Sequence, residues 1–335
     1  MNTLRKSSAV FFALLFIGSA VMALFLFNFD RTAFTAETYQ QAFAREELYN
    51  KLPAVMAQTL TSSGADQSQF PIVMQGLSAT AWEGFFRALL PPESLKAMGD
   101  DMLNSTFAYL NQKTDSAQLN LVPLKTSMTS DTAVQAVFSM LGTLPDCTFA
   151  QVGQMTLDLL GGGQIQFCNP PAELSPLLAP VIQGQLQVMA ALIPDQVTLI
   201  AAPAQDDPRQ QLQFARVVMR LSPLLPLFFL LILTLLAVRS LKDWLGWWGV
   251  PLFIAGAIAL GISIIGAPVF SAILQRILAN RMPEFLPVLL LDYTTELASA
   301  MVRALLRPVL WQGLALGVLG LIMAGTGYFV RPANG

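Results

Sequence analysis

The 335-residue sequence contains no histidine and only two cysteines. Without histidine, the chain has no imidazole base, no serine–histidine relay and no histidine ligand for a metal. Two cysteines are too few for a four-thiolate zinc site. These absences exclude the histidine-dependent hydrolases and the common zinc proteins.

Charged residues are also scarce, at 12% of the chain, whereas 54% is hydrophobic. Soluble domains are usually about 25% charged, so much of this apolar surface requires a lipid bilayer as its partner. The formal net charge of −2 provides no basic field for nucleic acid, and no nucleic-acid partner is expected.

Four uninterrupted apolar stretches predict four transmembrane helices, because each is close to the roughly 20 residues that cross a bilayer core. They are Ser8–Phe29, Leu221–Val238, Val250–Gly266 and Val309–Val330. None contains a charged residue, which argues against a pump or an ion-coupled transporter formed by this chain alone.

Small residues recur at close spacing in the last two stretches. Ala257 and Gly261 lie in the third, and Gly313 and Gly317 lie in the fourth. Such pairs allow helices to approach closely, so they predict a compact helix bundle, with a dimerisation face as the alternative.

The first stretch follows Arg5 and Lys6. Basic residues before an apolar run are typical of a signal anchor whose N-terminus stays in the cytoplasm. A cleaved secretory signal is the alternative, but the apolar run continues through "LFLFNF" and is too long for a usual signal core. We therefore expect an uncleaved anchor in the cell (plasma) membrane.

This orientation places both chain ends in the cytoplasm and the large polar section outside it. The predicted order is 1–7 cytoplasmic, 8–29 membrane, 30–220 extracytoplasmic domain, 221–238 membrane, 239–249 cytoplasmic loop, 250–266 membrane, 267–308 extracytoplasmic amphipathic hairpin, 309–330 membrane and 331–335 cytoplasmic tail. A belt of Trp244, Trp247 and Trp248 fits the cytoplasmic boundary.

Several arginines disagree with this orientation, because positive charge usually stays inside. They flank the second span or lie in the second outer loop: Arg216, Arg220, Arg276, Arg281, Arg303 and Arg307. We keep the orientation because the first segment has the form of an export signal and the cysteine pair suits an oxidising compartment.

The polar section of about 190 residues is long enough for one domain with its own core. Its apolar periodicity is mainly helical, with one or two short strands at "AQLNLVPLK" and "DQVTLIAAP". We expect Pro53 to divide the first helical stretch into two shorter helices or to bend it. We also expect Thr80 and Glu83 to form a capping box, and Asp207 and Pro208 to begin a helix that enters the bilayer.

Cys147 and Cys168 are separated by twenty residues, mostly a helical stretch followed by Gly161–Gly163. The glycines allow the chain to turn back, which predicts a disulfide between the two cysteines. Two free thiols in a reducing compartment, or a redox-active pair, are the alternatives.

Two amphipathic segments of the second outer loop adjoin the third and fourth spans. They lie either on the membrane surface or beneath the large domain. We favour the second placement, because Glu284, Asp292 and Glu296 would be disfavoured beside anionic lipid.

No set of residues predicts catalysis. Ser94 with Lys96, and Ser240 with Lys242, have the residue types of a serine–lysine dyad but the wrong helical spacing. The pairs Asp100–Asp101 and Asp206–Asp207 are better explained as caps and surface charges than as a cation site. No cofactor, no metal and no enzyme activity are expected.

Two motifs are shared with a known group of proteins: the "WE…R…LLPP" segment and the Cys-x-Pro-Pro sequence that ends the cysteine pair. They correspond to Trp82–Glu83, Arg87, Leu89–Pro92 and Cys168–Pro171. With the N-terminal anchor, this order of features resembles uncharacterised bacterial multi-pass envelope proteins. The resemblance implies an architecture and no activity.

Two functions fit these features. The first is a non-catalytic membrane protein that presents its outer domain for envelope assembly, either to another envelope protein or to a second copy of itself. The second is a small transport or lipid-handling component, suggested by the amphipathic outer helices beside the bilayer.

Overall fold

A computed structural model describes residues 3–62, 78–161, 168–203, 207–281 and 288–329 of the protein. Several predicted features lie outside these ranges: Gly162 and Gly163 of the glycine run, Asp206 of the second aspartate pair, the middle of the second outer loop at 282–287, and the tail at 331–335.

Four helices are long and apolar enough to cross a membrane, which makes this a multi-pass membrane protein. The elements that carry them are α1 (Thr3–Ala33), α10 (Pro208–Leu221) leading into α11 (Leu224–Ala237), α12 (Leu241–Arg281) and α13 (Val288–Phe329). The apolar runs thus continue as helix beyond the predicted spans.

The section between α1 and α10 is mainly helical, as predicted. Its elements are α2 (Ala36–Arg45), α3 (Leu48–Ser62), α4 (Ala79–Leu89), α5 (Pro92–Leu110), β1 (Ser116–Asn120), α6 (Val122–Met128), α7 (Asp131–Leu141), α8 (Phe149–Gly161), a 3₁₀ turn (Ala172–Leu174), α9 (Ser175–Leu192) and β2 (Gln196–Ala201). Both strand predictions are confirmed, and the strands form a two-stranded antiparallel sheet.

The large domain has a core in which Cys147 and Cys168 form the predicted disulfide. Both cysteines are buried beside Met155, Leu178 and Ile182, so the cross-link lies in the apolar contact of α7, α8 and α9. The backbone amide of Cys147 donates to the carbonyl of Asn169 at 2.8 Å, which holds the two ends of the loop together.

Two local predictions for the domain are wrong. The first helical stretch breaks at Glu47, which has a φ of 51°, whereas Pro53 lies inside α3. Helix α4 is capped by Ser78, whose side chain accepts from the backbone amide of Ala81 at 3.2 Å, so Thr80 is not the cap. Ser78 precedes the first helical residue, where a hydroxyl reaches the free amides of the first turn.

Packing contacts and hydrogen bonds hold α1 against the other helices of the membrane bundle. Its core joins residues of α1, α11, α12 and α13, including Phe16, Leu233 and Ala255. On the side opposite the domain, the Arg5 guanidinium donates to the last carbonyls of α11, at Leu235 and Leu236. A cation suits these carbonyls because they carry the negative end of the helix dipole.

Helices α12 and α13 form an antiparallel hairpin whose closest contact consists of glycines. A Cβ atom on Gly256 would lie 2.7 Å from the carbonyl oxygen of Gly313 and 2.7 Å from Cα of Gly317. One on Gly320 would lie 2.7 Å from the Gly249 carbonyl oxygen. The two backbones therefore touch where only glycine fits.

The predicted packing residues divide between this contact and the outer surface. Gly313 and Gly317 lie in the contact, but Ala257 is exposed and a Cβ on Gly261 meets nothing within 4 Å. The prediction for the third span is thus wrong about which face of the helix makes the contact. Spacing alone does not fix which of two neighbouring helix faces meets a partner, and Gly256 occupies the contact instead.

Replacing Gly256 by alanine is expected to destabilise the hairpin by about 1–3 kcal/mol, because the added methyl overlaps the backbone of α13. Gly261→Ala is the matched control, since it makes the same change on the same helix into open space. Thermal unfolding in detergent should separate the two variants. Equal melting temperatures would contradict the glycine contact.

Candidate functional site

The boundary between the bundle and the domain contains a buried ionic cluster. Asp30, near the end of α1, is 3% exposed and Arg216 of α10 is 7% exposed. The Asp30 carboxylate accepts from Nε of Arg216 at 2.8 Å and from Nε of Arg220 at 2.7 Å. Because each oxygen has its own arginine, the charge of Asp30 is neutralised where water is largely excluded.

One face of α10 continues these contacts into the domain. Arg216 also donates to the side chain of Asn111 and lies over the Phe34 ring, 4.6 Å from its centroid. Two turns earlier, buried Arg209 pairs with Asp207 at 2.7 Å and donates to the Thr114 carbonyl at 2.8 Å. Helix α10 thus fixes the domain to the membrane helices along its length.

A pair of amides links α1 to α13 at a similar level. The Asn28 side chain donates to Gln312 at 2.6 Å, and Gln312 donates back at 3.1 Å. Asn28 is 2% exposed, and a buried amide with both functions paired is stable in an apolar setting. This pair marks the level at which apolar spans give way to polar side chains.

At this boundary lies a cavity of about 610 Å³, which we call the boundary groove. Three elements line it: α2 with Ala42, Arg45 and Glu46; α12 with Ser263, Ile264, Ala267, Pro268 and Ser271; and α13 with Ser299, Ala300, Arg303, Ala304, Leu306, Arg307 and Leu310. The volume falls within the range of small-ligand pockets.

The groove carries excess positive charge. Arg303 is paired with Glu46 at 2.7 Å and donates to Ser299 at 3.1 Å. Arg45 and Arg307 have no ion-pair partner among the described residues. Three arginines against one glutamate leave two positive charges available to an anion.

Apart from Ser263, Ser271 and Ser299, the rest of the lining is apolar. Ile264 of α12 and Leu310 of α13 belong to the membrane-spanning segments, below the level of the arginines. Cationic donors above an apolar wall match a ligand with an anionic head and a hydrocarbon tail. Guanidinium groups also bind phosphate oxygens in a bidentate geometry.

The domain also contacts the part of α13 that precedes the groove. Lys51 of α3 pairs with Glu296 at 2.7 Å, and Tyr293 donates to the Leu48 carbonyl at 3.3 Å. The amphipathic segment of α13 therefore packs beneath the domain, as favoured from the sequence. Nearby Tyr49 is buried, and burial together with the charge of Asp100 raises its pKa to about 12, so it is neutral at physiological pH.

Several of the residues that the sequence singled out for chemistry have structural contacts. Ser94 shares a hydrogen bond with Ser127 at 2.8 Å, and Lys96 pairs with Asp100. Asp207 caps α10 through the amide of Arg209 at 2.9 Å. No group of acidic residues in the described parts of the chain could hold a metal ion.

Comparison with known proteins adds no assignment: no family model, no curated protein and no solved structure matches the chain. The resemblance to bacterial envelope proteins stays a prediction.

Sequence reasoning did not find the groove, because its lining comes from three segments that lie far apart in the chain. One signal pointed to it. Arg303 and Arg307 contradicted the expected distribution of positive charge, and both line the groove. Arg216 and Arg220, the other exceptions near a span, are explained by their pairing with Asp30.

Proposed function

We propose that this protein is a lipid-handling component of the bacterial envelope that binds an anionic amphiphile in the boundary groove. The observation that supports this most directly is that Arg45 and Arg307, which have no ion-pair partner among the described residues, lie above an apolar wall formed by membrane-spanning helices. Arg45, Arg303 and Arg307 hold the anionic head, while Ile264 and Leu310 contact the first part of the tail.

In this proposal Glu46 competes with the ligand for Arg303. It holds Arg303 when the groove has no ligand, and an incoming phosphate displaces it from the guanidinium. Breaking the Arg303–Glu46 ion pair costs little free energy, because the Arg303 side chain is 51% exposed and partly exposed ion pairs contribute little stability.

The proposed setting is the plasma membrane with the domain outside the cytoplasm. Arg5 and Lys6 before α1 support this orientation through the positive-inside preference. The Cys147–Cys168 disulfide supports it because such bonds persist in oxidising compartments. The groove then faces the outer leaflet.

Native mass spectrometry of the protein in nanodiscs, loaded with phosphatidic acid or phosphatidylcholine, tests the proposal. We expect selective retention of phosphatidic acid and about a tenfold or larger loss in Arg303→Gln and in Arg307→Gln, since hydrogen bonds to a charged group contribute about 1.5–3 kcal/mol. Glu46→Gln should strengthen retention, because it frees Arg303.

Arg276→Gln is the matched control, because Arg276 is an exposed arginine of α12 outside the groove lining. An equal loss in this variant would show that any positive charge at the boundary attracts the lipid. That result, or the absence of retained phosphatidic acid in the parent protein, would overturn the proposal.

Presentation of the domain to a partner is the second candidate, and the sheet favours it. All residues of β2 are exposed, including Val197, Leu199 and Ile200, and within the described structure β2 pairs only with β1. A free strand edge is a template for another chain. Lys125 lies beside the start of β2 through its pairing with Asp195, so cross-links from Lys125 in intact cells would report such a partner.

A further inference from the structure

A second cavity, of about 470 Å³, lies between α1 and α12 near the membrane side opposite the domain. Val10, Leu14 and Ile17 line it on α1, and Val250 and Ile254 line it on α12. Lys242 and Asp243, at the start of α12, also line it, whereas its lining at positions 10–17 and 250–254 is apolar and belongs to the membrane-spanning helices. We call it the far cavity.

The two cavities share one stripe of α12. Its residues in the far cavity are Asp243, Trp247, Val250 and Ile254, and its residues in the boundary groove are Ile264, Pro268 and Ser271. These positions alternate in steps of four and three, which keeps them on one helix face, and two further positions complete the stripe between Ile254 and Ile264.

The two intermediate positions are Ala257 and Gly261. Ala257 is exposed, and a Cβ on Gly261 would meet no other atom within 4 Å. On this lipid-facing helix the neighbours Ile258, Ile262 and Ile265 are large and exposed. The side chains of the stripe are thus smallest between the two cavities, at Ala257 and Gly261.

Length determines what could occupy this path. Ile264 and Gly246, which lines the far cavity, are eighteen residues apart, so at 1.5 Å per residue the path is about 27 Å long. That is nearly the whole hydrocarbon core of about 30 Å. The tail of an ordinary leaflet lipid covers only half of the core, about 15 Å, and would end near Ile254.

Polarity determines which part of the ligand occupies it. Between Val250 and Ile262 the described part of α12 carries no charged residue, so an ionised head group would be costly there. A hydrocarbon tail has no such cost. The path therefore accommodates a tail whose head stays among the arginines of the boundary groove.

We propose that the ligand of the boundary groove is a long-chain lipid phosphate, whose tail follows the Ala257–Gly261 stripe and ends in the far cavity. This inference rests on the proposed function, because it assigns the head group to Arg303 and Arg307. It adds the chemical class of the ligand, a phosphate on a chain about twice as long as a leaflet.

The test compares the binding of hexadecyl phosphate and of a polyprenyl phosphate of about fifty carbons to the full-length protein in nanodiscs. We expect the longer amphiphile to bind about fivefold more tightly or better. The expected gain is modest, because a tail exchanges contacts with lipid for similar contacts with the helix.

Gly246→Leu should remove this preference and leave the binding of hexadecyl phosphate unchanged, because the added side chain fills the far cavity, which only the longer tail reaches, and a Cβ at this position meets nothing within 4 Å. Gly325→Leu is the matched control, since it is another helical glycine whose Cβ would meet nothing within 4 Å, and it lies outside both cavities. Equal affinity for the two amphiphiles, as expected for separate lipids in each leaflet, would overturn the inference, as would an equal effect of the two leucines.

The two proposals fail differently. If Arg303→Gln and Arg307→Gln weaken both amphiphiles but chain length has no effect, only the assignment of the tail is wrong. If neither arginine variant changes the binding of either amphiphile, the groove does not bind the phosphate, and the proposed function itself is wrong.

Discussion

Asp30→Ala is expected to lower the free energy of unfolding by about 3–5 kcal/mol, the usual cost of removing one partner from a buried ion pair. Arg216 would then remain buried with its charge uncompensated, since Asp30 is the acidic group that it contacts. Arg220 is less affected, because its side chain is 54% exposed and can be hydrated. The loss should also loosen the domain from α1.

Thermal unfolding in detergent measures this effect, with Glu173→Ala as a control at an exposed acidic position. The double variant Asp30→Ala/Arg216→Met should regain part of the lost stability, because it removes the stranded charge. If Asp30→Ala melts like the parent, or if the double variant is no better than the single one, the cluster does not stabilise the protein.

Cys147→Ser is expected to cost about 3 kcal/mol, because the disulfide closes a loop of twenty intervening residues and restricts the unfolded chain. Cys168→Ser should cost the same, and the double variant no more than either single one, since all three remove one bond. Reduction of the parent protein before unfolding should reproduce the loss.

The same unfolding measurement decides this prediction, with non-reducing mass spectrometry to verify the bond in the parent. The losses of unfolding free energy in the Asp30 variants and in the cysteine variants should be additive. The two sites are far apart, because the disulfide lies in the core of α7, α8 and α9 while Asp30 lies at the membrane boundary. Unchanged melting of both single cysteine variants would contradict a stabilising role.

Local patterns predicted the local structure of this protein well. The two strands and the Asp207–Pro208 start of α10 follow from turn residues and apolar periodicity within a few neighbours. The disulfide also followed from sequence, because only one pairing of two cysteines is possible. The break at Glu47 did not, because a positive φ at a non-glycine residue leaves no sign in composition.

Features that depend on which helices meet could not be derived in this way. The periodicity of α12 shows two faces with small residues, and only the position of α13 makes Gly256 the contact and leaves Ala257 and Gly261 toward lipid. The boundary groove has the same origin, since Arg45 and Arg303 meet across more than two hundred residues. Unexplained arginines were the one indication in the sequence that such a site existed.

The Asp30 cluster also has a consequence for how the protein is made. Asp30 and Arg216 are separated by 186 positions, and the whole domain lies between them. When α1 enters the membrane, the carboxylate of Asp30 has no arginine from α10 to neutralise it, and it gains one only after the domain has been synthesised. Biogenesis therefore has a fixed order, in which the bundle is completed last and a defect in the domain leaves α1 without its partner.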